Sequence, residues 1–138
     1  MGKIVGIDYG RARMGLAISD ENGLLALPLG SLQVSHDIKK TVDALCVFLS
    51  KYSFSSVVVG LPLLMNGHDS PMTSEVRLFA SLLETQLCKP IALWDERLTS
   101  KQVEKLLIEG AVKRKNRSKV IDTMSAILIL QSYFDSKK

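Results

Sequence analysis

The sequence predicts an α/β fold: a mixed five-stranded sheet, with three antiparallel strands followed by two parallel ones, and helices on both faces. Three observations lead to this prediction. The N-terminal part contains three short strand-like segments joined by turns. Two further strand-like segments follow, and a segment with helical periodicity precedes each of them. A helix between two strands is typical of a parallel crossover, which covers one face of the sheet.

The N-terminal segments are predicted to form an antiparallel unit. Strands are expected at Lys3–Tyr9, Met14–Ser19 and Leu24–Leu29. The Asn22-Gly23 pair before the third strand is a strong hairpin signal. Since the connections are short, neighbouring strands should pair antiparallel.

Helix and strand then alternate. A stripe of apolar residues predicts a helix over Asp37–Tyr52, and a continuous β-branched run predicts a buried strand over Ser55–Pro62. Ser70-Pro71 combines a cap with a first-turn proline, which predicts the start of a second helix. A fifth strand is expected at Pro90–Glu96.

The C-terminal part is predicted to be helical. Thr99–Gln102 is a capping box that opens a short helix, and Gly110 ends it. An apolar final helix is expected from about Lys119 to Phe134. In sheets of this kind, functional groups gather beyond the carboxyl ends of the parallel strands.

Length and composition indicate one domain over residues 1–138, in the cytoplasm. No apolar run is long enough for a membrane span, and the N-terminus lacks a signal-peptide pattern. Cys46 and Cys88 form no C-x-x-C pair, which favours buried free thiols over a metal or redox site. The net charge of +4 favours a polyanionic partner such as nucleic acid.

Three acids occupy special positions in the predicted elements. Asp8 ends the first strand, Glu96 ends the last strand beside Asp95, and Asp122 lies in the first turns of an otherwise apolar helix. All of them should reach the same rim if the final helix packs its Ala126 side closely on the sheet. Alternation along the fifth strand favours Glu96 over Asp95 as the acid that faces the site.

Carboxylates gathered in a cleft repel one another unless a cation lies among them. Mg²⁺ favours such an oxygen-rich cage, and two ions about 4 Å apart can activate water and stabilise a leaving oxygen in phosphodiester hydrolysis. Arg11, Arg13 and Arg97 would then hold phosphate. The alternative interpretation is structural: Asp8 caps its turn through backbone N–H groups, and Asp95 pairs with Arg97.

Two further segments are candidates for substrate contacts. The basic segment at 112–119 is either solvated surface or a nucleic-acid contact. Its position immediately before the last helix favours the nucleic-acid contact. Its cations are Lys113, Arg114, Lys115, Arg117 and Lys119. The segment GLPLLMNGHDS is either a lid at the rim or a surface loop. The lid residues would be Gly60 and Gly67 as pivots, with Asn66 and His68 between or beside them. A loop histidine is more often solvated than a proton-transfer group.

Four stretches, GIDYGRARMGLAISD, VVVGLPLLMNG, LWDERLTS and KVIDTMSAILILQSYF, resemble in this order the YqgF (RuvX) family. The resemblance implies a ribonuclease H-like fold. It also implies a nuclease that matures the precursor of 16S rRNA, or a Holliday junction resolvase as members were earlier described. The family's acids fall on Asp8, on the pair Asp95 and Glu96, and on Asp122, and its arginine on Arg97.

The chain departs from the family pattern in two places. Arg11, Ala12 and Arg13 stand where the family commonly has Thr-Lys-Arg, and Leu64 replaces an asparagine. Both changes leave the acids intact. The first affects the groups expected to bind phosphate, and the second affects the contacts of the loop. A guanidinium does not replace an ammonium exactly, because its donors form a planar fork.

The leading hypothesis is a Mg²⁺- or Mn²⁺-dependent nuclease acting on structured nucleic acid, with pre-16S rRNA favoured over a four-way DNA junction. We expect a monomer or weak homodimer, whereas a junction resolvase should be a symmetric dimer. A second hypothesis is a non-catalytic module that binds ribosome precursors. A third, an actin-like phosphotransferase, needs two domains closing on ATP, and the length supplies one.

Overall fold

The computed structural model of the chain describes residues 2–98 and 117–136. Its elements are listed in chain order: β1 Ile4–Tyr9, β2 Arg13–Ser19, β3 Ala26–Gln33, α1 Ile38–Leu49, β4 Ser56–Leu61, α2 Pro71–Leu87, β5 Ile91–Asp95, a 3₁₀ turn Glu96–Leu98, and α3 Arg117–Ser136. The predicted helix from Thr99 to Gly110 lies outside the described residues. So does the part of the basic segment that holds Lys113, Arg114 and Lys115.

The five strands form one sheet in the order β3-β2-β1-β4-β5. β1 pairs antiparallel with β2, and β2 pairs antiparallel with β3. On its other side β1 pairs parallel with β4, and β4 pairs parallel with β5. The predicted fold class is therefore confirmed, and β1 is the central strand with partners on both sides.

Helices cover both faces of the sheet because strand residues alternate between two cores. On one face, Ile7 and Leu16 pack with residues of α1 and α2, such as Leu45 and Phe79. On the other, α3 packs against the sheet. The buried members of this second core are Ala17, Val58, Ala126, Ile129, Leu130 and Phe134. Ala126 is fully buried, so the expected close approach of the last helix is found.

Side-chain caps fix the starts of α1 and α2. Asp37 accepts a hydrogen bond from the backbone N–H of Lys39, 3.0 Å away. Ser70 caps α2 and Pro71 stands in its first turn, as the sequence predicts, and Ser70 forms a reciprocal capping box with Thr73. The Thr73 hydroxyl also donates to the carbonyl of Pro62, so this cap ties α2 to the end of β4.

The third strand differs from its prediction, because it begins at Ala26 and extends to Gln33. The carboxylate of Asp20 accepts from the backbone N–H groups of Leu24 and Leu25, at 2.8 and 3.3 Å. These bonds hold the segment after β2 in a wider loop than a two-residue hairpin. β3 then continues past Gly30, whose φ of 135° is open to glycine alone.

The other boundaries shift by smaller amounts. α1 ends at Leu49 rather than Tyr52, because Ser50 turns its backbone N–H and its hydroxyl to the carbonyl of Val47. α3 begins at Arg117, two residues before the expected start. Cys88 is exposed at the left-handed end of α2, so its predicted burial is wrong. Within the described residues, no helix is both long and apolar enough to cross a lipid bilayer.

Candidate active site

Asp8 is presented by the central strand at the end of the sheet that the sequence indicates. Its neighbours Ile7 and Tyr9 point into the core of α1 and α2, so Asp8 points to the face covered by α3. The turn that follows is closed by the backbone, from Gly10 N–H to the carbonyl of Arg13 at 3.0 Å. This backbone hydrogen bond closes the turn, so the turn does not depend on a cap from Asp8.

Gly15 brings the last helix into reach of Asp8. It pairs with Asp8 across the β1–β2 ladder. A Cβ atom at Gly15 would lie 1.8 Å from the carbonyl oxygen of Asp122 and 2.8 Å from the backbone nitrogen of Thr123. The backbone of α3 thus rests directly on β2 at this point, and Asp122 is held beside Asp8. Sequence reasoning missed Gly15, although a glycine inside a strand often marks a close backbone approach.

Glu96 is the acid of its pair that faces Asp8. Its carboxyl group packs over Gly60, where an added Cβ would lie 2.8 Å from Glu96 Oε1. Burial raises the pKa of Glu96 far above its ordinary value, and the hydrogen bond to Asp8 and the charge of Asp8 raise it further. A protonated Glu96 therefore donates to the carboxylate of Asp8 in the metal-free protein.

The structure gives Gly60 a role besides the predicted one. It lies inside β4 and pairs with Trp94 of β5. Gly60 thus belongs to the strand that precedes the loop, and its function as a pivot stays a prediction. Its missing side chain leaves the space that Glu96 and Ile129 occupy.

Asp95 forms an ion pair with Arg97, as expected if Asp95 has a structural role. Arg97 Nη2 lies 2.6 Å from Asp95 Oδ2, and its Nε contacts both carboxylate oxygens. This pairing lowers the pKa of Asp95. Arg97 also donates to the carbonyl of Met65, 3.2 Å away, and so ties the loop after β4 to the rim. Asp95 is thus a weaker candidate metal ligand than Glu96.

Asp122 is paired with Arg13, whose Nε lies 2.9 Å from Asp122 Oδ2. The pair is partly buried, with 34% and 21% of the two side chains exposed. Burial raises the pKa of Asp122, Arg13 lowers it, and the nearby charge of Asp8 raises it again. Arg13 is therefore an internal counter-charge for the acidic rim. Arg11, in contrast, is exposed and forms no ion pair with another residue that the structure describes.

The loop between β4 and α2 is a compact turn beside this rim. Leu63 and Asp69 form an isolated antiparallel bridge, and Leu64 N–H donates to the carbonyl of His68 at 2.9 Å. Asn66 accepts from the His68 backbone at 3.0 Å, and Gly67 has a φ of 86°. The side chain of His68 is exposed, which agrees with the more common, solvated role of a loop histidine.

Trp94 belongs to the core of α3, as expected. Its indole Nε1 donates to the Ser132 hydroxyl at 3.1 Å, and its ring meets that of Tyr133 edge-on, with centroids 5.8 Å apart. Trp94 and Glu96 share a face of the last strand. The indole is therefore part of the core under α3 and is not a base-stacking platform.

The donor chemistry of the rim fits a hard divalent cation. Asp8 and Glu96 share a proton where two carboxylates face each other, and Asp122 lies nearby under the charge of Arg13. In the parts of the chain that the structure covers, no three His, Cys, Asp or Glu side chains converge as a ready metal cage. A cation held by these acids would therefore compete with the proton between Asp8 and Glu96 and with Arg13 for Asp122.

The shared proton predicts how stability depends on pH in the metal-free protein. The folded state keeps the Glu96 proton above the ordinary pKa of 4.5, whereas the unfolded state loses it. The free energy of unfolding should therefore fall as pH rises, by at most about 1.4 kcal/mol per pH unit. The side chain in Glu96→Gln cannot ionise. We therefore expect the free energy of unfolding of this variant, relative to that of wild type, to increase between about pH 6 and pH 9.

Thermal unfolding in EDTA at several pH values measures this effect. Glu21→Gln, an exposed acid in the loop after β2, is the matched control and should follow the wild-type slope. Parallel slopes for wild type and Glu96→Gln would contradict the raised pKa.

Fold and rim together define a protein of the ribonuclease H-like class. Among solved structures, the chain is similar to RuvC from Thermus thermophilus in complex with a Holliday junction substrate. The TM-score is 0.55 at 15% identity, and the match covers 98% of this chain and 95% of that one. A second structure of Thermus thermophilus RuvC gives a TM-score of 0.53 at 14% identity. At such low identity the likeness shows the fold alone.

The chain belongs to the RuvX family, whose model, described as "Holliday junction resolvase", matches residues 2–136. The family resemblance seen in the sequence is thereby confirmed. A relative from Protochlamydia amoebophila, named "Putative pre-16S rRNA nuclease", is 44% identical over 98% of this chain and 94% of its own length. Relatives with the same name from Pelotomaculum thermopropionicum and a Geobacillus species are 41% and 38% identical. They cover 98% and 99% of this chain, and 88% and 99% of their own lengths.

Proposed function

We propose that this protein is a metal-dependent nuclease that hydrolyses phosphodiester bonds, acting as one domain over residues 1–138. The observation that carries the proposal is the contact between Asp8 and Glu96 at the rim of the sheet, with Asp122 held beside it. A group of acids this costly to bury without a cation is typical of functional sites. Membership of a family with named nucleases supports the same conclusion.

Asp8, Glu96 and Asp122 would hold one or two Mg²⁺ or Mn²⁺ ions. Bound there, the metal would supply an activated water and charge stabilisation at the leaving oxygen. The strands give the acids fixed positions, because Asp8 and Glu96 follow paired strand residues and Gly15 seats the helix that carries Asp122. A site built on strands and a packed helix holds its geometry better than one built on loops.

Cations around the rim would hold the phosphates of the substrate. Arg11 has no competing carboxylate among the described residues, so its guanidinium is available for phosphate. Arg13 becomes available once Asp122 turns to a cation. Arg97 and the basic segment from Lys113 to Lys119 would extend the grip on the backbone.

The favoured substrate is structured RNA, at the 5′ end of the 16S rRNA precursor. The names of the relatives support RNA, and the description of the family model supports a Holliday junction as the alternative. Work on ribosome precursors would place the protein in the cytoplasm as a monomer or weak homodimer. A resolvase would need a stable symmetric dimer to cut two strands.

A cleavage assay tests this proposal directly. End-labelled 16S rRNA precursor and a four-way DNA junction are incubated with the protein in Mg²⁺, Mn²⁺ or EDTA. We expect cutting of the RNA in either metal, none in EDTA, and little cutting of the junction. Cutting of the junction alone would support a Holliday junction resolvase acting in recombination. Binding without cutting in every metal would support the non-catalytic module.

The same assay separates the two acids at the end of β5. Glu96→Gln should reduce cleavage by about a hundredfold or more, whereas Asp95→Asn should cost much less, because Asp95 is occupied by Arg97. Equal losses in both variants would contradict the assignment of Glu96 as the ligand.

A further inference from the structure

A second concave site lies on the opposite face of the sheet from the acids, at the same end of β1. It is a cleft of about 380 Å³ between the end of β1, the start of α1 and one face of α2. This volume is in the range of small-ligand pockets and exceeds what a single water needs. None of the proposed catalytic groups lines it.

Apolar side chains form one wall of the cleft. Val34 and Ile38 at the start of α1 line it and are partly buried. Leu78 of α2 also lines it and is 52% exposed, although leucines of a helix that packs on a sheet are usually covered. This wall suits a flat ligand that is apolar on its faces.

Glu75, three residues before Leu78 on the same face of α2, adds a carboxylate in a fixed orientation beside this wall. Tyr9, only 4% exposed, donates its hydroxyl to Glu75 Oε2 at 2.7 Å. Within the described residues this is the hydrogen bond that Glu75 makes. Oε1 and the second lone pair of Oε2 therefore remain, so both carboxylate oxygens can accept from a ligand.

A cation stands at the mouth. Arg11 lines the cleft from the β1–β2 turn and has no acidic partner in the described residues. The lining of the cleft therefore combines a phosphate-binding group, an acceptor for N–H groups and apolar side chains. These are the three parts of a nucleotide: phosphate, base edge and base face.

We propose that this cleft binds an unpaired guanine of the substrate strand, next to the phosphate that is cut. Guanine is favoured because a carboxylate can accept from its N1–H and its amino group together, whereas uracil offers a single N–H. The inference rests on the proposed nuclease function, for which it supplies a base preference.

The position of the cleft relative to Asp8 makes this geometry accessible. Asp8 and Tyr9 are consecutive, so their Cα atoms lie about 3.8 Å apart while their side chains face opposite sides of the sheet. A strand with one phosphate at Asp8 passes the tip of the turn at Arg11 and places a neighbouring base in the cleft. Cleavage would then be directed to a position beside an unpaired guanine.

Fluorescence anisotropy with three labelled RNA pentamers, UUGUU, UUAUU and UUUUU, tests the proposal in EDTA, where no cleavage occurs. We expect the wild type to bind UUGUU about tenfold more tightly than the other two, since a two-point contact to one base discriminates by about 1–3 kcal/mol. Glu75→Gln should reduce this ratio to near one. The ratio is the readout because removing any acid strengthens nucleic-acid binding in general.

Two matched variants complete the design. Glu21→Gln removes an exposed acid elsewhere and should keep the wild-type ratio. Leu78→Ser changes an exposed residue that the fold tolerates, and should weaken binding of UUGUU several-fold. A wild-type ratio near one, or a ratio unchanged in Glu75→Gln, would overturn the proposal. Because no metal or cleavage is involved, failure here is distinguishable from failure of the nuclease function.

Discussion

Replacing Asp8 with Asn should lower metal-dependent cleavage by about a thousandfold or more while leaving the fold intact. Asn keeps the size of the side chain and removes the charge that a cation requires. Metal-ion catalysis contributes several kcal/mol, and each 1.36 kcal/mol corresponds to a factor of ten in rate. In EDTA the variant should have a melting temperature close to that of wild type, because it loses the repulsion between Asp8 and Asp122 together with the charge that accepts a hydrogen bond from protonated Glu96.

Single-turnover cleavage and thermal unfolding, each with Mg²⁺ and with EDTA, measure both parts of this prediction. Mg²⁺ should raise the melting temperature of the wild type and have little effect on Asp8→Asn. Asp43→Asn, an exposed acid on α1, is the control and should behave as wild type in both assays. Wild-type cleavage rates in Asp8→Asn would contradict the proposed role of Asp8 in a metal-dependent nuclease site.

Gly15→Ala should have the second-largest effect, and it acts without touching any charge. The added methyl group would overlap the carbonyl of Asp122, which belongs to the helix backbone and cannot rotate away. The helix has to lift from β2, at a cost of about 1–3 kcal/mol in the free energy of unfolding. Asp122 then moves away from Asp8, so cleavage should fall by more than the loss of folded protein explains.

Gly6→Ala is the matched control for this prediction. Gly6 also lies under the last helix, but an added Cβ would meet Leu130 and the carbonyl of Ala126 at 2.9 and 3.1 Å. It should destabilise the protein while disturbing Asp122 less. Urea unfolding and single-turnover cleavage of both variants, below the temperature of unfolding, separate stability from positioning. Equal cleavage by the two variants would show that Gly15 is only a packing residue.

The sequence was sufficient for the sheet and for proposing candidate acids at one rim, because both depend on local patterns. Alternation along the fifth strand favoured Glu96 over Asp95, and the Ala126 side was the expected docking side of α3. The extent of β3 could not be predicted in this way. It depends on Asp20 capturing the backbone of its own loop, a competition between side-chain and ladder hydrogen bonds that turn propensities do not resolve.

The pairings of the charged groups were also beyond the sequence. Three arginines near three acids are equally consistent with phosphate binding and with ion pairs. The structure separates them: Arg13 is paired with Asp122, Arg97 is paired with Asp95, and Arg11 alone of the three is without an acid in the described residues. The functions of Gly15 and Gly60 likewise depend on which backbone or side chain lies above them, and only three-dimensional packing determines that.

The ion pair between Arg13 and Asp122 bears on whether the chain folds before or after it binds metal. Small metal-dependent domains commonly fold only when their ion is present, because the ligands repel one another without it. Here an arginine from β2 balances part of that repulsion, and a shared proton balances the rest. In the proposed nuclease, the chain would therefore complete its fold without divalent metal and take up its ions afterwards. Folding and metal binding would then be separate steps.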